Sequence, residues 1–239
     1  MSNEFTFVVE KKCPVCGKNT RVVKVKSRLM ISRTDDDYCT HYRDFNPYFY
    51  TIWACEHCGY AADEKHFLSP LSGREQEIMA KFLHDRRARF LFTPERGLPE
   101  AIASFQLAIY CAEAISAPPS RLASLSLHMA WVFRTVGLAE QEREWTQKAV
   151  ALFDRSLMTE RYPVENLSDN AVTYLIATLY NRLGERERCT QYLGMLINDK
   201  KLKMNNEKLY NDARRLWQTI RSDEAEATKA AEQAVKRKK

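Results

Sequence analysis

Two pairs of cysteines have the residue type and the spacing of a metal site. Cys13 and Cys16 lie in the stretch KKCPVCGKNT, and Cys55 and Cys58 repeat the C-x-x-C spacing in IWACEHCGYAAD. Two intervening residues let one tight turn present both sulfurs to the same ion. Four thiolates suit the tetrahedral coordination of zinc, with Zn–S distances of about 2.3 Å. The sequence therefore predicts one structural Zn²⁺ held by all four cysteines.

A glycine follows each pair, at Gly17 and Gly59, where a positive φ would close the turn and direct backbone N–H groups toward the sulfurs. Two other uses of the spacing stay open. A thioredoxin-like redox site needs only one pair, at the start of a helix. An iron–sulfur cluster also takes four thiolates, although its usual spacings differ. Zinc with four protein ligands has no open position for water, which disfavours metal-assisted hydrolysis.

The segment between the pairs, RTDDDYCTHYRDFNPYFY, is rich in side chains that bind ions or line pockets. Its acidic run, cysteine, histidine and Asn-Pro pair precede three aromatic residues: Asp35, Asp36, Asp37, Cys39, His41, Asn46 and Pro47. One interpretation is an aromatic-lined polar pocket or a partial second metal site. The other is a loop, since Asp, Asn and Pro favour turns and aromatic residues cover a small sheet.

Around these residues the sequence has the patterns of short strands. FTFVVEK, TRVVKVK, RLMISR and YFYTIWAC are β-branched and aromatic runs bounded by turn residues. They predict a small antiparallel sheet with the cysteine turns at its end, a zinc-ribbon-like domain over residues 1–69. Such a sheet buries little surface, so the metal would have to supply folding free energy.

From residue 70 the hydrophobic period changes from two to about 3.6, which predicts helices. Ser72 and Glu75 have the spacing of a capping box, and Gly137 and Gly184 are typical of helix ends. The stretch IATLYNRLGERERCTQYL resembles a tetratricopeptide repeat, with Ala177, Tyr180, Gly184, Cys189 and Leu193 in the repeat positions. We therefore expect a tetratricopeptide-like array over 70–221, with a plain helical bundle as the alternative, and a charged tail or helix extension over 222–239. The fold class is α+β.

The charge, the apolar runs and the cysteine content of the sequence predict the cellular compartment. The net charge is +6, of which the final KRKK contributes +4, so the body of the chain is nearly neutral. No run of eighteen apolar residues and no signal-peptide pattern occurs in the sequence. We expect a cytoplasmic protein without membrane contact, whose seven cysteines are ligands or core residues rather than disulfides.

The N-terminal motifs resemble a known family. CPVCG, TDDDYC and NPYFYTIWACEHCGYAA, in that order, are similar to the uncharacterised bacterial family called domain of unknown function 2225, over residues 10 to about 200. The resemblance implies a cytoplasmic bacterial protein and the same four cysteine ligands. It also draws attention to residues of the intervening motif, namely Asp37, Cys39, Asn46, Pro47, Tyr50 and Trp53. It implies no activity.

Two functional hypotheses of different classes follow. The first is a non-enzymatic scaffold that binds a protein or peptide through its helices, because aromatic residues with nearby arginines are common interface anchors: Trp131, Trp145, Tyr174, Tyr180 and Tyr192, with Arg134, Arg143 and Arg182. The second is a nucleic-acid-associated regulator that uses the ribbon and the basic tail. An enzyme using the loop at 35–41 ranks third, since the sequence contains no G-x-S-x-G, P-loop, H-E-x-x-H or dinucleotide-binding motif.

Overall fold

The structure is a computed structural model that describes residues 4–86 and 90–236, although within the last helix the side chains of 224, 225 and 227–236 are not described. In the described residues, short antiparallel strands precede a long helical part, which confirms the α+β class. The strands are β1 (Thr6–Lys12), β2 (Asn19–Val25), β3 (Ile31–Thr34), β4 (Thr40–Tyr42), β5 (Ile52–Ala54) and β6 (Ala61–Asp63). The α-helices are α1 (Glu64–Leu68), α2 (Gly73–Asp85), α3 (Leu98–Ala114), α4 (Pro119–Thr135), α5 (Ala139–Thr159), α6 (Asp169–Leu183), α7 (Arg186–Asn198), α8 (Lys200–Asn205) and α9 (Glu207–Lys236), and a 3-10 helix spans Pro47–Tyr50.

The strands form three separate two-stranded ladders rather than the single sheet that the sequence predicted. β1 pairs with β2, β3 with β4 and β5 with β6, all antiparallel. The reason lies in the connections: a cysteine turn joins β1 to β2, and another joins β5 to β6. Each ladder is thus a hairpin, and β5 and β6, at three residues each, are too short to extend a sheet.

The cysteine turns share one hydrophobic core with the first helices. Cys13 and Cys55 are buried together with Trp53, with Phe67 of α1 and with Met79 of α2. Side chains of α3 complete this core, among them the fully buried Cys111. Helix α2 begins with the predicted capping box, in which Ser72 Oγ accepts a hydrogen bond from Glu75 N at 3.3 Å and Glu75 Oε2 accepts one from Ser72 N at 2.8 Å.

The chain divides into two compact units, Met1–Ser156 and Leu157–Lys239. The first contains the hairpins and the helices up to most of α5. In the second, α6 and α7 pack against each other across a two-residue connection, and α7 packs against α9. The predicted boundary between residues 69 and 70 stays a prediction about which segments fold independently.

Helices α4 and α6 end just before the two glycines that the sequence predicted, and both glycines have a left-handed conformation. Gly137 and Gly184 have φ of 77° and 80°. After each, the next residue donates its N–H back to a carbonyl five residues earlier, Leu138 to Phe133 at 3.0 Å and Glu185 to Tyr180 at 2.9 Å. Both ends therefore have the Schellman hydrogen-bond pattern. Four of the five positions compared with a tetratricopeptide repeat are buried, and Gly184 is exposed: Ala177, Tyr180, Cys189 and Leu193 are the buried ones. The repeat relation itself stays a prediction.

None of the described helices combines the length and the apolar character needed to cross a membrane. The predicted charged tail, residues 222–239, lies largely outside the description. Helix α9 runs to Lys236, while most side chains beyond Asp223 and all of residues 237–239 are outside the described residues.

The buried apolar residues of α9 predict how far along the helix the chain contributes to the stability of the fold. Leu209, Ala213, Leu216 and Ile220 are buried at helical spacing. Because the sequence beyond Arg221 is polar apart from Val235 and several alanines, truncation after Arg221 should change the free energy of unfolding by less than about 0.5 kcal/mol. Ile220→Ala, the matched change inside the buried face, should cost about 2–5 kcal/mol. Urea unfolding of the three proteins measures both. A large loss on truncation would mean that the tail packs against the fold.

Candidate metal centre

The four predicted cysteines converge on one point. Cys13 Sγ lies 3.7 Å from Cys58 Sγ, and Cys16 Sγ lies 3.7 Å from Cys55 Sγ. All four sulfurs lie within 4.8 Å of one another. A zinc ion with Zn–S bonds of about 2.3 Å would place its sulfurs about 3.8 Å apart in a regular tetrahedron. The donor set and its spacing therefore fit zinc, and these four residues could hold it.

The two cysteine turns have the same backbone geometry. In the first turn, Gly17 N donates to Cys13 O at 3.0 Å and Cys13 N donates to Lys18 O at 2.9 Å. In the second, Gly59 N donates to Cys55 O at 2.9 Å and Cys55 N donates to Tyr60 O at 2.8 Å. Each glycine has a positive φ, 71° and 80°, as the sequence predicted. A side chain at these positions would strain the turn, because residues with a Cβ avoid that conformation.

The thiols perturb one another's ionisation. Hydrogen bonding to Cys55 raises the pKa of Cys13 to about 12, and hydrogen bonding to Cys13 and Cys55, together with burial, raises the pKa of Cys58. The thiols of Cys13 and Cys58 donate to Cys55, which lowers its pKa. A divalent cation would supply the positive charge that lets all four ionise.

Contacts outside the sulfurs hold the two cysteine turns together. Arg21 of β2 donates from Nη2 to Glu56 Oε2 at 2.6 Å, and Glu56 N donates to Thr20 Oγ1 at 3.1 Å. His57 Nε2 donates to Asn19 O at 2.8 Å. The two residues between Cys55 and Cys58 therefore bind the start of β2, and His57 has its Nε2 hydrogen-bonded to a backbone carbonyl rather than to a sulfur.

A second cluster forms where the sequence predicted either a pocket or a loop. Asp35, Cys39 and His41 bring their ligand atoms within 4.8 Å of one another. His41 Nε2 lies 2.9 Å from Asp35 Oδ2. Burial acts to raise the pKa of Asp35, but the hydrogen bond to His41 and the charges of His41 and Arg134 together outweigh it, so that the pKa is lowered.

Arg134 of α4 supplies the positive charge for this cluster. Its Nη1 contacts Asp35 Oδ2 at 3.0 Å and Asp37 Oδ1 at 2.8 Å, and its Nη2 contacts Asp37 Oδ2 at 2.7 Å. Its Nε donates to Glu142 Oε1 of α5 at 2.8 Å, and Trp131 Nε1 donates to Asp37 Oδ2 at 3.3 Å. The carboxylate oxygens that a metal would need are thus bonded to a guanidinium, and the cluster is an ion-pair network between the 35–41 loop and two helices.

Cys39 lacks the properties of a catalytic nucleophile. It is fully buried, and burial raises the pKa of its thiol to about 12. At neutral pH it is therefore a thiol rather than the reactive thiolate. The geometry of this loop gives the enzyme hypothesis no support.

The remaining candidates in the segment have packing and capping roles. Asp36 is exposed and lies outside the cluster. Asn46 caps the 3-10 helix by accepting from Tyr48 N at 3.1 Å and donates to Thr135 Oγ1 at 2.8 Å. Tyr50 accepts from Arg96 N at 3.0 Å, and Trp53 is buried beside Phe67.

Sequence reasoning missed two buried arginines. Arg134 was expected near an interface but has a side chain only 4% exposed. Arg96 is also buried, and it donates to Ile52 O at 2.6 Å and Phe49 O at 3.4 Å beside the 3-10 helix. Three adjacent aspartates do signal a need for a cation. Nothing in the sequence selects an arginine 97 positions away as the partner of Asp37.

The expected interface aromatics are mostly core residues. Trp131, Tyr174 and Tyr180 are 8%, 4% and 4% exposed, so these three are packed inside the chain and do not offer the exposed anchors that the sequence predicted. Tyr192 is half-buried and stacks on Tyr180 with ring centroids 5.7 Å apart. Trp145 is also half-buried, and Lys148 Nζ lies 4.2 Å from the centroid of its ring.

Fold and site together define an α+β protein whose N-terminal hairpins carry a four-cysteine site that could hold zinc, followed by helices. The family model described as "Uncharacterized protein conserved in bacteria", domain of unknown function 2225, matches residues 8–220. The chain belongs to this family. Comparison with curated proteins and comparison with solved structures each give no match.

The metal site predicts a specific response to loss of one sulfur. Protein purified without added metal should contain about one zinc per chain by elemental analysis. Cys55→Ser should lose that zinc on dialysis against a chelator that leaves the parent protein loaded, and its hairpins should unfold. Cys189→Ser removes an equally buried cysteine from outside the cluster and should keep the zinc. A Cys55→Ser protein with full zinc and an unchanged melting temperature would contradict the site.

The ion-pair network predicts that the stability lost on substituting Arg134 depends on whether Asp37 is charged. Arg134→Met leaves the buried carboxylate of Asp37 without its cation and should cost about 3–5 kcal/mol. Adding Asp37→Asn should recover part of this loss, because the second change removes the stranded charge. Arg143→Met, an exposed arginine on α5, should have little effect. Chemical unfolding of these proteins and of Asp37→Asn alone measures the coupling, and additive losses for Arg134→Met and Asp37→Asn would contradict it.

The same network gives stability a defined pH dependence. The folded-state pKa of Asp35 is lowered, so the ionised carboxylate stabilises the folded protein. Its contribution to the free energy of unfolding is complete above the pKa of an aspartate in the unfolded chain, about 3.9. That contribution should disappear as the pH falls through the lowered folded-state value.

Proposed function

We propose that the protein is a non-enzymatic scaffold in which a structural zinc fixes the N-terminal hairpins and the helices of the same unit bind a protein or peptide. Cys13, Cys16, Cys55 and Cys58 would hold the ion. Bound zinc would supply cross-links between the two cysteine turns and no open coordination position. The closed set of four sulfurs supports a structural role rather than a catalytic one.

Burial of the four-cysteine site supports a rigid scaffold rather than a flexible zinc-binding module. Cys13 and Cys55 are 1% and 0% exposed and belong to the core that also contains Met79 and Cys111. An ion at this position would stabilise the packing of α2 and α3 as well as the hairpins. The helical surface that follows would then have a fixed shape, which lowers the entropic cost of binding a partner.

An open groove between α3, α4 and α5 is the observation that carries the binding proposal. Its volume is about 650 Å³. Apolar and aromatic side chains from all three helices line it, including Ile109, Tyr110, Leu122, Trp145 and Leu152. A concave surface that leaves Tyr110 54% exposed and Trp145 half-buried is typical of a binding site. Trp145 is the member of the expected aromatic set that lies here.

Nucleic acid is the less supported partner. Two basic residues of the first hairpin, Arg21 and Lys24, already pair with Glu56 and Glu64 at 2.6 and 2.7 Å. These pairs neutralise part of the positive charge that phosphate contacts would need. The most densely charged basic cluster, KRKK, lies outside these hairpins, at residues 236–239.

Affinity purification with the full-length protein tests the proposal. The bait is expressed in the source bacterium, extracts are treated with nuclease, and capture is done at moderate salt. A protein partner that is recovered repeatedly, and that binds the purified chain in calorimetry, is the expected result. A bait without the final KRKK should capture it equally well. If salt-sensitive nucleic acid is all that copurifies, and removal of KRKK abolishes it, the scaffold proposal is wrong.

A further inference from the structure

We propose that the groove between α3, α4 and α5 binds a short segment of a partner protein in which a large apolar side chain is flanked by lysine or arginine. This inference rests on the proposed scaffold function and specifies the chemistry of its partner. All of the lining residues belong to the compact unit Met1–Ser156.

Helical periodicity defines the walls of the groove. Gln106, Tyr110 and Glu113 lie on successive turns of α3, and Trp145, Lys148 and Leu152 lie on successive turns of α5. These rows extend for roughly two helical turns, on the order of 11 Å at 1.5 Å per residue. An extended segment of about three or four residues spans that length at 3.3 Å per residue. The groove thus matches a short peptide segment.

The apolar part of the groove is incompletely covered by the chain itself. Helix α5 buries one row of side chains, with Ala149, Val150 and Phe153 at 0%, 4% and 1% exposure. Trp145 and Leu152 lie beside that row and are half-buried, while Tyr110 on the opposite wall is 54% exposed. A ligand pocket usually encloses most of a small molecule. An open site with aromatic walls instead favours one side chain of a longer segment as the anchor.

The charges of the groove select the residues beside that anchor. Glu113 on α3 and Glu144 on α5 contribute two carboxylates, against the single ammonium of Lys148. Lys148 Nζ is already 2.7 Å from Glu144 Oε1 and stacks over Trp145. Glu113 is exposed and forms no ion pair with any residue in the described part of the chain. A lysine or arginine of the partner would pair with Glu113 and could stack on Tyr110. An acidic segment would be repelled.

A set of fluorescent peptides tests this selectivity in the full-length protein. The first is a twelve-residue peptide with a central Trp-Leu pair and two lysines on each side. The second replaces the lysines by glutamates, and the third replaces Trp-Leu by two alanines. Fluorescence anisotropy should give saturable binding of the first peptide, at least about tenfold tighter than either of the others, since tenfold corresponds to about 1.4 kcal/mol.

Variants in the groove, each with a matched control, locate the binding site. Trp145→Ala and Glu113→Lys should each weaken the first peptide at least about fivefold, and Glu113→Lys should improve binding of the glutamate peptide. Trp217→Ala is the control for Trp145→Ala, since Trp217 is also a half-buried helical tryptophan with a cation, Arg221, over its ring at 4.6 Å. Glu187→Lys, at an exposed position of α7, is the control for the charge reversal. Circular dichroism verifies that each variant is folded.

Several outcomes would overturn the inference. It is wrong if the lysine peptide fails to bind at concentrations on the order of 1 mM. It is also wrong if the lysine and glutamate peptides bind with equal affinity, or if the groove variants bind the lysine peptide as tightly as their controls. It is also wrong if truncation after Arg221 strengthens peptide binding, because the chain's own basic end would then be the occupant. If a purified partner binds the groove variants as tightly as the parent protein, the groove is not the binding site. The proposed scaffold function would be unaffected by that result. If the affinity purification recovers no protein partner, the proposed scaffold function itself is wrong.

Discussion

Four sulfur atoms from two distant hairpins must meet within a few ångströms, and the N-terminal half is built around this requirement. The second and third cysteines are separated by 38 residues, so bringing them together costs on the order of 3 kcal/mol in chain entropy, in addition to the constant term of loop closure. Ladders of three residues such as β5 and β6 contribute little against that cost. Burial of Cys13 and Cys55 in a core shared with α2 and α3 contributes more, and a tetrahedral cation would contribute most.

A second constraint joins the loop between the cysteine pairs to the helices. Arg134 is nearly surrounded by carboxylates from the 35–41 loop and from α5, and Asp37 accepts from both its guanidinium and Trp131. A buried charge with several well-placed partners fixes geometry more than it adds stability, because desolvation offsets much of the attraction. The loop that was a candidate for a pocket is therefore held against α4.

These two sites bind the cysteine turns and the 35–41 loop to the helices of the same unit. The groove between α3, α4 and α5 is the surface on which the binding proposal rests. The cysteine site is closed, the Arg134 network is saturated and Cys39 is inaccessible. The groove between α3, α4 and α5 combines partly exposed aromatic side chains with unbalanced negative charge. This distribution is the basis of the proposal that the protein is a scaffold for basic, apolar segments.

The sequence by itself determined what depends on local spacing. The C-x-x-C-G turns, the capping box at Ser72 and the left-handed ends at Gly137 and Gly184 follow from backbone conformations that a few neighbouring residues decide. The four candidate ligands were equally readable, since repeated spacing identified both pairs, and the structure brings their sulfurs within 4.8 Å of one another. Only the tertiary structure decided that the strands form three hairpins, that Trp131, Tyr174 and Tyr180 are core residues, and that Arg134 reaches Asp37 across 97 positions. Those outcomes depend on which faces pack together, and a hydrophobic or charged residue has the same local pattern whether its partner is the core, another side chain or a second protein.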